Sequence, residues 1–167
     1  MRIALIGTAV NPLQRSGPAP ELAQLFADIS LHAFPSRVPA FPYTPLEQAM
    51  QALGHAEAAL SAADKGCDAV VIDSVGDYGL AAMRAMLPIP AIGSGEAGLA
   101  EVAQGGRRFG IVTVWPESMN FILADGLHAC GITNQCTGIV NIGSDEDVAS
   151  LSGPDGYLAQ IREGQAA

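Results

Sequence analysis

Two short polar stretches carry the groups in this chain that could do chemistry: Asp73-Ser74-Val75-Gly76-Asp77 and Gly93-Ser94-Gly95-Glu96. Each follows an apolar run, so each delivers hydroxyls, carboxylates and lightly covered backbone N–H groups to a strand end. A serine hydroxyl beside the N–H groups of Val75 and Gly76 makes a cradle for a small carboxylate, and Ser94 adds a second hydroxyl. Read as a nucleophile, Ser74 needs a histidine base within hydrogen-bond reach. His32 falls within a short strand, while His55 and His128 fall inside helices. A triad is therefore not expected, and the G-x-S-x-G flag is missing. Ser74 can equally cap the helix that begins near Gly79, and Asp77 reads as a cap of that helix. Gly93-Ser94-Gly95-Glu96-Ala97-Gly98 spells G-x-G-x-x-G between a strand and a helix. A dinucleotide site also wants an acidic residue about 20 positions on, at a strand end. Glu117 sits instead behind Pro116 at a helix start, which speaks against that site.

Strand and helix alternate along the chain in a way that would position these stretches. Ile3–Ile6 is the first strand, and the loop Gly7–Pro20 leads to a helix, Glu21–Ile29, with Leu22, Leu25 and Phe26 on one face. Leu31–Phe34 is a second short strand. Thr44-Pro45-Leu46-Glu47 is a capping box with proline at the first helical site. The helix it opens runs to about Lys65, carries an apolar stripe of Met50, Leu53, Ala56, Leu60 and Ala63, and is ended by Gly66. Ala69–Ile72 then reads as a buried strand, Leu80–Met86 as a helix, Ile89–Ile92 as a strand and Ala97–Ala103 as a helix. Gly105-Gly106 marks the expected boundary. Beyond it come strand Phe109–Val114, helix Glu117–Cys130 with Met119, Ile122, Leu123 and Leu127 on one face, strand Thr137–Ile142 and a short last helix.

That rhythm predicts an α/β fold of doubly wound, mostly parallel sheets. The first unit, residues 1–105, carries the Ser74 loop. The second, residues 106–167, lacks the further strand that a doubly wound unit would use, and is read as incomplete: either minimal or truncated. Ligands of open α/β sheets bind at the carboxyl edge. There the pocket would be lined by Gly7, Thr8 and Asn11, by Ser74, Val75 and Gly76, by Ser94, and by Thr113 and Val114.

Composition narrows the partners. With 167 residues, 49% hydrophobic and 15% charged, the chain is globular and long enough to bury one good core. A net charge of −9 with scattered basic residues speaks against a nucleic-acid partner. Only Arg107 and Arg108 are adjacent, and such a pair caps a loop or flanks a strand. No apolar run approaches the ~20 residues of a membrane span, and Met1-Arg2 leads into a strand rather than a signal segment. Three cysteines without a C-x-x-C pair read as reduced thiols of a cytoplasmic protein with no metal site. Cys67, just before its strand, reads as a small buried residue, and Cys130 and Cys136 flank a turn. The single lysine, Lys65, lies at the end of a helix, badly placed for a Schiff base, which sets PLP chemistry aside. A flavin or nucleotide is a third-ranked ligand, and the sequence leaves homo-oligomerisation, substrate and stereochemistry open.

Gly66-Cys67-Asp68-Ala69, Gly76-Asp77, Gly79-Leu80, Ile89-Pro90, Ile92-Gly93, Gly95-Glu96-Ala97 and Arg108 to Thr113 together resemble the Asp/Glu/hydantoin racemase family. Its members carry a GCDA-type strand ending in an A-C-x-G-D-P-G-L loop, then an I-P-V-I-G-I-G-E-A segment and an R-F-x-I-V-T-T strand. The resemblance is tight over the middle third of the chain and loose elsewhere. It implies a cofactor-independent racemase or isomerase acting at the α-carbon of a small amino acid, carboxylate or hydantoin. Two cysteines on opposite faces of that carbon remove and return its proton, and donors around the carboxylate or carbonyl hold the enolate. Three departures stand out. Ser74 occupies the position of the first catalytic cysteine, and its hydroxyl is far too weakly acidic to do that job unaided. No later cysteine in a G-C-[AT]-G context occurs, and Gly7-Thr8-Ala9-Val10-Asn11-Pro12 replaces the opening N-P-N-[ST] loop. The resemblance thus implies a racemase-like chain with little racemase activity as it stands. The alternative is a non-catalytic carboxylate-binding module, or a relative of the arylmalonate decarboxylases, which keep only the later cysteine; maleate isomerase is related as well.

Overall fold

Short apolar runs build the strands of the first unit. They are β1 (Arg2–Gly7), β2 (Ser30–Pro35), β3 (Ala69–Ile72) and β4 (Ala91–Gly93), ordered β2-β1-β3-β4 with every pairing parallel. The computed structural model describes residues 1–8, 24, 28–38 and 41–145. Most of the expected helix Glu21–Ile29, the first loop beyond Thr8 including Asn11, and the expected last helix lie outside the described residues. The register aligns Ala4 with Val70 and Val70 with Ala91, and Ile6 with Ile72. Residues that face each other across parallel strands share a sheet face. Ala4, Ile6, Val70 and Ile72 are accordingly all fully buried, in one cluster with Ala58, Ala59, Ala62 and Met83.

Those alanines belong to α1 (Pro45–Asp64), the crossover from β2 to β3, and Met83 belongs to α2 (Leu80–Met86), the crossover from β3 to β4. The capping box forms as the residues predict: Thr44 Oγ1 accepts from the Glu47 N–H, and Glu47 Oε2 accepts from the Thr44 N–H at 2.9 Å. Lys65 is the C-cap, and Gly66 follows at φ +74°. The buried face of α1 is not the expected one. Gln51, Gly54, His55, Ala58, Ala59 and Ala62 point inward, while Leu53 is 73% exposed and Met50 and Leu60 are also exposed. The inward face lies about 170° round the helix, nearly opposite the stripe that periodicity selects. The cause is local: Gln51 Nε2 donates to the Val38 carbonyl at 3.0 Å, and Gly54 lies so close to Ser36 and Val38 that no side chain fits. Small residues and two polar anchors, rather than bulk, set which side meets the sheet.

By packing, the chain divides into Met1–Ser94 and a second unit, Gly95–Ala167. It holds all but the first residue of α3 (Ser94–Val102), then β5 (Phe109–Thr113), α4 (Asn120–Ala129) and β6 (Cys136–Asn141). β5 and β6 pair in parallel. Met119, Ile122 and Leu127 are buried as expected. Arg107 closes the end of α3, donating to the carbonyls of Glu101 at 2.7 Å and Gln104 at 3.1 Å. The fold is thus α/β, helices on parallel sheet, in both units. Among the described helices none is long and apolar enough to cross a membrane.

Candidate active site

Three neighbouring strands of the first unit end in a hydroxyl. Thr8 follows β1, Ser74 comes just beyond β3, and Ser94 directly follows β4. Because β1, β3 and β4 are adjacent and parallel, these residues share the carboxyl edge of one sheet, where this architecture binds ligands. Gly7, Val75 and Gly76 lie at the same edge, with Val75 45% exposed.

Ser74 sits in a tightly bonded turn. Its carbonyl accepts from the Asp77 N–H at 3.2 Å and from the Ser94 hydroxyl at 3.1 Å, and the Asp77 carbonyl accepts from the Leu80 N–H at 3.0 Å. Asp77 has φ +44°, a left-handed conformation uncommon for a residue with a side chain. Neither Ser74 nor Asp77 caps α2. Its N-cap is Gly79, at φ +78° and without a side-chain bond. Gly79 must be glycine twice over, since a Cβ there would come within 2.7 Å of the Ala52 carbonyl oxygen. The Asp77 carboxylate instead lies over Gly93, leaving no room for a side chain at that position.

Two residues of the site were not legible as such in the sequence. The first is Tyr78, only 3% exposed, whose hydroxyl hydrogen-bonds with the Ser74 side chain. Burial, with Asp77 adding to it against the pull of the Ser74 bond, pushes its pKa up to about 12. The second is His55, fully buried in α1, its ring edge-on to Tyr78 with centroids 5.6 Å apart. Its Nε2 lies 3.4 Å from Thr8 Oγ1. Burial lowers its pKa to about 4, with the Tyr78 backbone pulling the other way. A histidine inside a helix does reach the carboxyl edge here, because α1 packs across the strands and turns that face inward. It meets Thr8 and Tyr78, an arrangement suited to a neutral, hydrogen-bonding ring rather than to a nucleophile's base.

The remaining expectations fall out individually. Gly93-Ser94-Gly95-Glu96 is not a loop: Gly93 ends β4, and α3 begins at Ser94 with Gly95 buried. None of Gly93, Gly95 and Gly98 takes a positive φ, so the G-x-G-x-x-G string makes no phosphate-cradling turn. Cys67 is buried, and all three cysteines are free thiols. Among the described residues no three His, Cys, Asp or Glu side chains converge as metal ligands would. A groove of about 530 Å³ between β2 and α1 is walled by Arg2, Arg37 and Lys65 beside Glu57, which pairs with Arg37 at 3.3 Å. No candidate residue lines it.

In the second unit, Thr113 ends β5 and its Oγ1 accepts from the Trp115 N–H at 3.1 Å; Val114 is exposed. Thr113 is in register with Asn141 of β6. Asn141 and Asn120 exchange amide hydrogen bonds at 2.8 and 3.1 Å, and Asn141 also donates to the Trp115 carbonyl at 2.8 Å. This amide pair is a further polar feature of a strand end that the sequence did not single out.

Residues 21–163 match the family described as Asp/Glu/Hydantoin racemase. Among solved structures, allantoin racemase from Klebsiella pneumoniae is similar at TM-score 0.68 and 26% identity, over 86% of this chain and 59% of that one. Allantoin racemase from Pseudomonas fluorescens is similar in fold at TM-score 0.62, with 16% identity over 91% of this chain and 67% of that one. The chain therefore spans about 59% of the length of the first of these. No curated protein matches it.

Proposed function

The chain belongs to the Asp/Glu/hydantoin racemase family, and from that premise we propose that its first unit binds a small carboxylate or cyclic ureide at the carboxyl edge for chemistry at the α-carbon. Ser74 is the central donor, with the N–H groups of Val75 and Gly76 beside it and the hydroxyls of Thr8 and Ser94 at the flanking strand ends. The observation that carries this reading is the row of three hydroxyls on adjacent parallel strands. Hydantoins and allantoin are natural candidates. Allantoin is a hydantoin ring with a ureido group, so its stereogenic C–H lies next to a ring carbonyl whose enolate such donors would stabilise. The proton-moving groups differ from a two-thiol scheme, because a serine hydroxyl holds its proton at neutral pH. The role given to Ser74 is therefore to bind and polarise the carbonyl or carboxylate. No cofactor is invoked for this step.

Isothermal titration with allantoin, 5-substituted hydantoins and small dicarboxylates tests the reading. Saturable binding of one of them, weakened roughly tenfold or more by Ser74→Ala, is the expected result, as one hydrogen bond to a charged or polarised oxygen is worth about 1.5 kcal/mol. Wild-type protein that binds none of the three would overturn it. Ser74→Cys should also raise deuterium wash-in at the α-carbon, followed by proton NMR. A second reading is favoured by one residue: with serine where the family carries its first cysteine, the chain acts as a binding module without turnover. It predicts the same saturable titration with no wash-in by the wild type at any protein concentration.

A further inference from the structure

The apolar stripe that periodicity selects on α1 faces away from the sheet. Leu46, Leu53 and Leu60 recur every seven residues, and Ala49, Ala56 and Ala63 follow them three places on. That is the spacing of a coiled-coil seam, with leucine at one seam position and alanine at the other. Leu46 is 71% exposed and Leu53 73%, and Leu60 and Met50 are exposed beside them. The inner side of the same helix holds the small residues that meet the sheet. One exposed leucine needs no explanation, but a line of large apolar side chains along a helix of 20 residues does.

The pattern fits a second copy of itself. Two such helices can run antiparallel about a two-fold axis level with Gly54 and His55. Leu46 then meets the partner's Ala63, Leu53 the partner's Ala56 and Leu60 the partner's Ala49, and the axis repeats each contact. Every leucine is set against an alanine, so the axes can approach to about 8 Å with the space between them filled. A parallel pair would stack leucine on leucine and leave the alanine layers open.

Charge agrees with the antiparallel direction. Asp64 lies about five turns from Leu46 on the same line of the helix, at a C-terminus that is itself partially negative. Antiparallel pairing carries that carboxylate to the partner's first turn, where free N–H groups favour an anion. Glu57, at the margin of the seam, pairs with Arg37 at 3.3 Å, so the copies do not meet there as bare like charges. Closing this face on a second copy buries roughly 1,000 Å² in total, the size at which specific, reversible association begins.

We propose that the outer face of α1 is the contact of a homodimer, α1 packing against α1 antiparallel, leucine against alanine. Below its dissociation constant the chain is monomeric, and there Leu53 behaves as a surface side chain. The contact uses none of the hydroxyls at the carboxyl edge, so it stands or falls apart from the function proposed above.

Sedimentation of the full chain over a range of concentrations, in about 0.15 M salt, tests it. Wild type should pass from monomer to dimer with a dissociation constant in the micromolar range, and a chain still monomeric at about 200 µM overturns the proposal. Leu53→Ala opens a gap and Ala56→Leu sets leucine against leucine, so each should weaken the dimer about tenfold or more. The two together exchange large for small across the axis and should return the constant to within about threefold of wild type. A merely sticky surface would tighten with Ala56→Leu; that result, or a double variant no better than the single ones, overturns the contact. Should Ala56→Leu fail to fold, Leu53→Glu decides at an exposed position. It should weaken the dimer about a hundredfold or more, since it buries a charge without a partner; an unchanged dimer would place the contact elsewhere and overturn the proposal. Direction is read by oxidising a mixture of Leu46→Cys and Ala63→Cys chains, with peptide mapping to set aside Cys67, Cys130 and Cys136. A disulfide joining positions 46 and 63 is expected, and one joining 46 to 46 overturns the antiparallel pair.

Discussion

At the scale of residues, the site is a set of close approaches as much as a set of hydrogen bonds. Gly76 shows this most directly, because the Tyr78 ring occupies the place its Cβ would take. Gly76→Ala should destabilise the fold by about 1–3 kcal/mol, the range for overpacking a filled site, seen as a lower urea midpoint. The loss should shrink in a Tyr78→Ala background, where the obstacle is gone; an equal loss in both backgrounds would show that the ring is not the cause. Which site residues could be read in advance follows from the same distinction. Thr8, Ser74 and Ser94 could be placed at the carboxyl edge because each stands just past a recognisable apolar run, and a strand end is a position along the sequence. Tyr78 and His55 could not. Their roles depend on which way a turn and a helix rotate, and neither residue carries that information itself. The tyrosine in place of the proline of the A-C-x-G-D-P-G-L loop was the one available signal, and its meaning needs the hydrogen bond to Ser74.

Elements were legible where local chemistry fixes them and misread where packing does. The Thr44–Glu47 capping box and the stop at Gly66 were both readable, as were the strands to within one or two residues. The inward face of α1 was not, because periodicity gives weight to Met50, Leu53 and Leu60 while the interface selects for closeness. Two substitutions decide the matter from opposite sides. Gly54→Ala gains up to about 1 kcal/mol of helix propensity, yet its new methyl would lie 2.7 Å from Val38 Cγ2 and collide with the buried Ser36 hydroxyl. Overpacking of that kind costs about 1–3 kcal/mol, so net destabilisation is expected. Leu53→Ala, at a side chain 73% exposed, should change the unfolding free energy measured in urea by no more than about 0.5 kcal/mol. The reverse order would restore the Leu53 stripe to the core and undo the account of the site, since His55 would then face outward.

For the whole molecule, the α/β class and parallel pairing followed from alternation of strand and helix, a pattern that survives errors at any one boundary. Gly105-Gly106 forms a local turn just after α3. Global stability should carry the signature of the buried histidine that ties α1 to the sheet edge. His55 has a pKa of about 4 in the folded chain against an ordinary 6.5. Between those values the unfolded chain binds the proton and the folded chain does not, so stability falls as pH drops through this window and is flat in this respect below it. The full effect is on the order of 3 kcal/mol. The chain also carries 17 Asp and Glu residues, so wild type must be compared with a variant that lacks only the imidazole. His55→Gln keeps a hydrogen-bonding side chain toward Thr8 without a titrating ring. Urea unfolding free energies measured from neutral pH to about pH 4 should fall more steeply for wild type than for His55→Gln, the gap opening below the ordinary histidine range. Parallel curves would mean that the ring is protonated in place, with a partner that neither Thr8 nor Tyr78 provides.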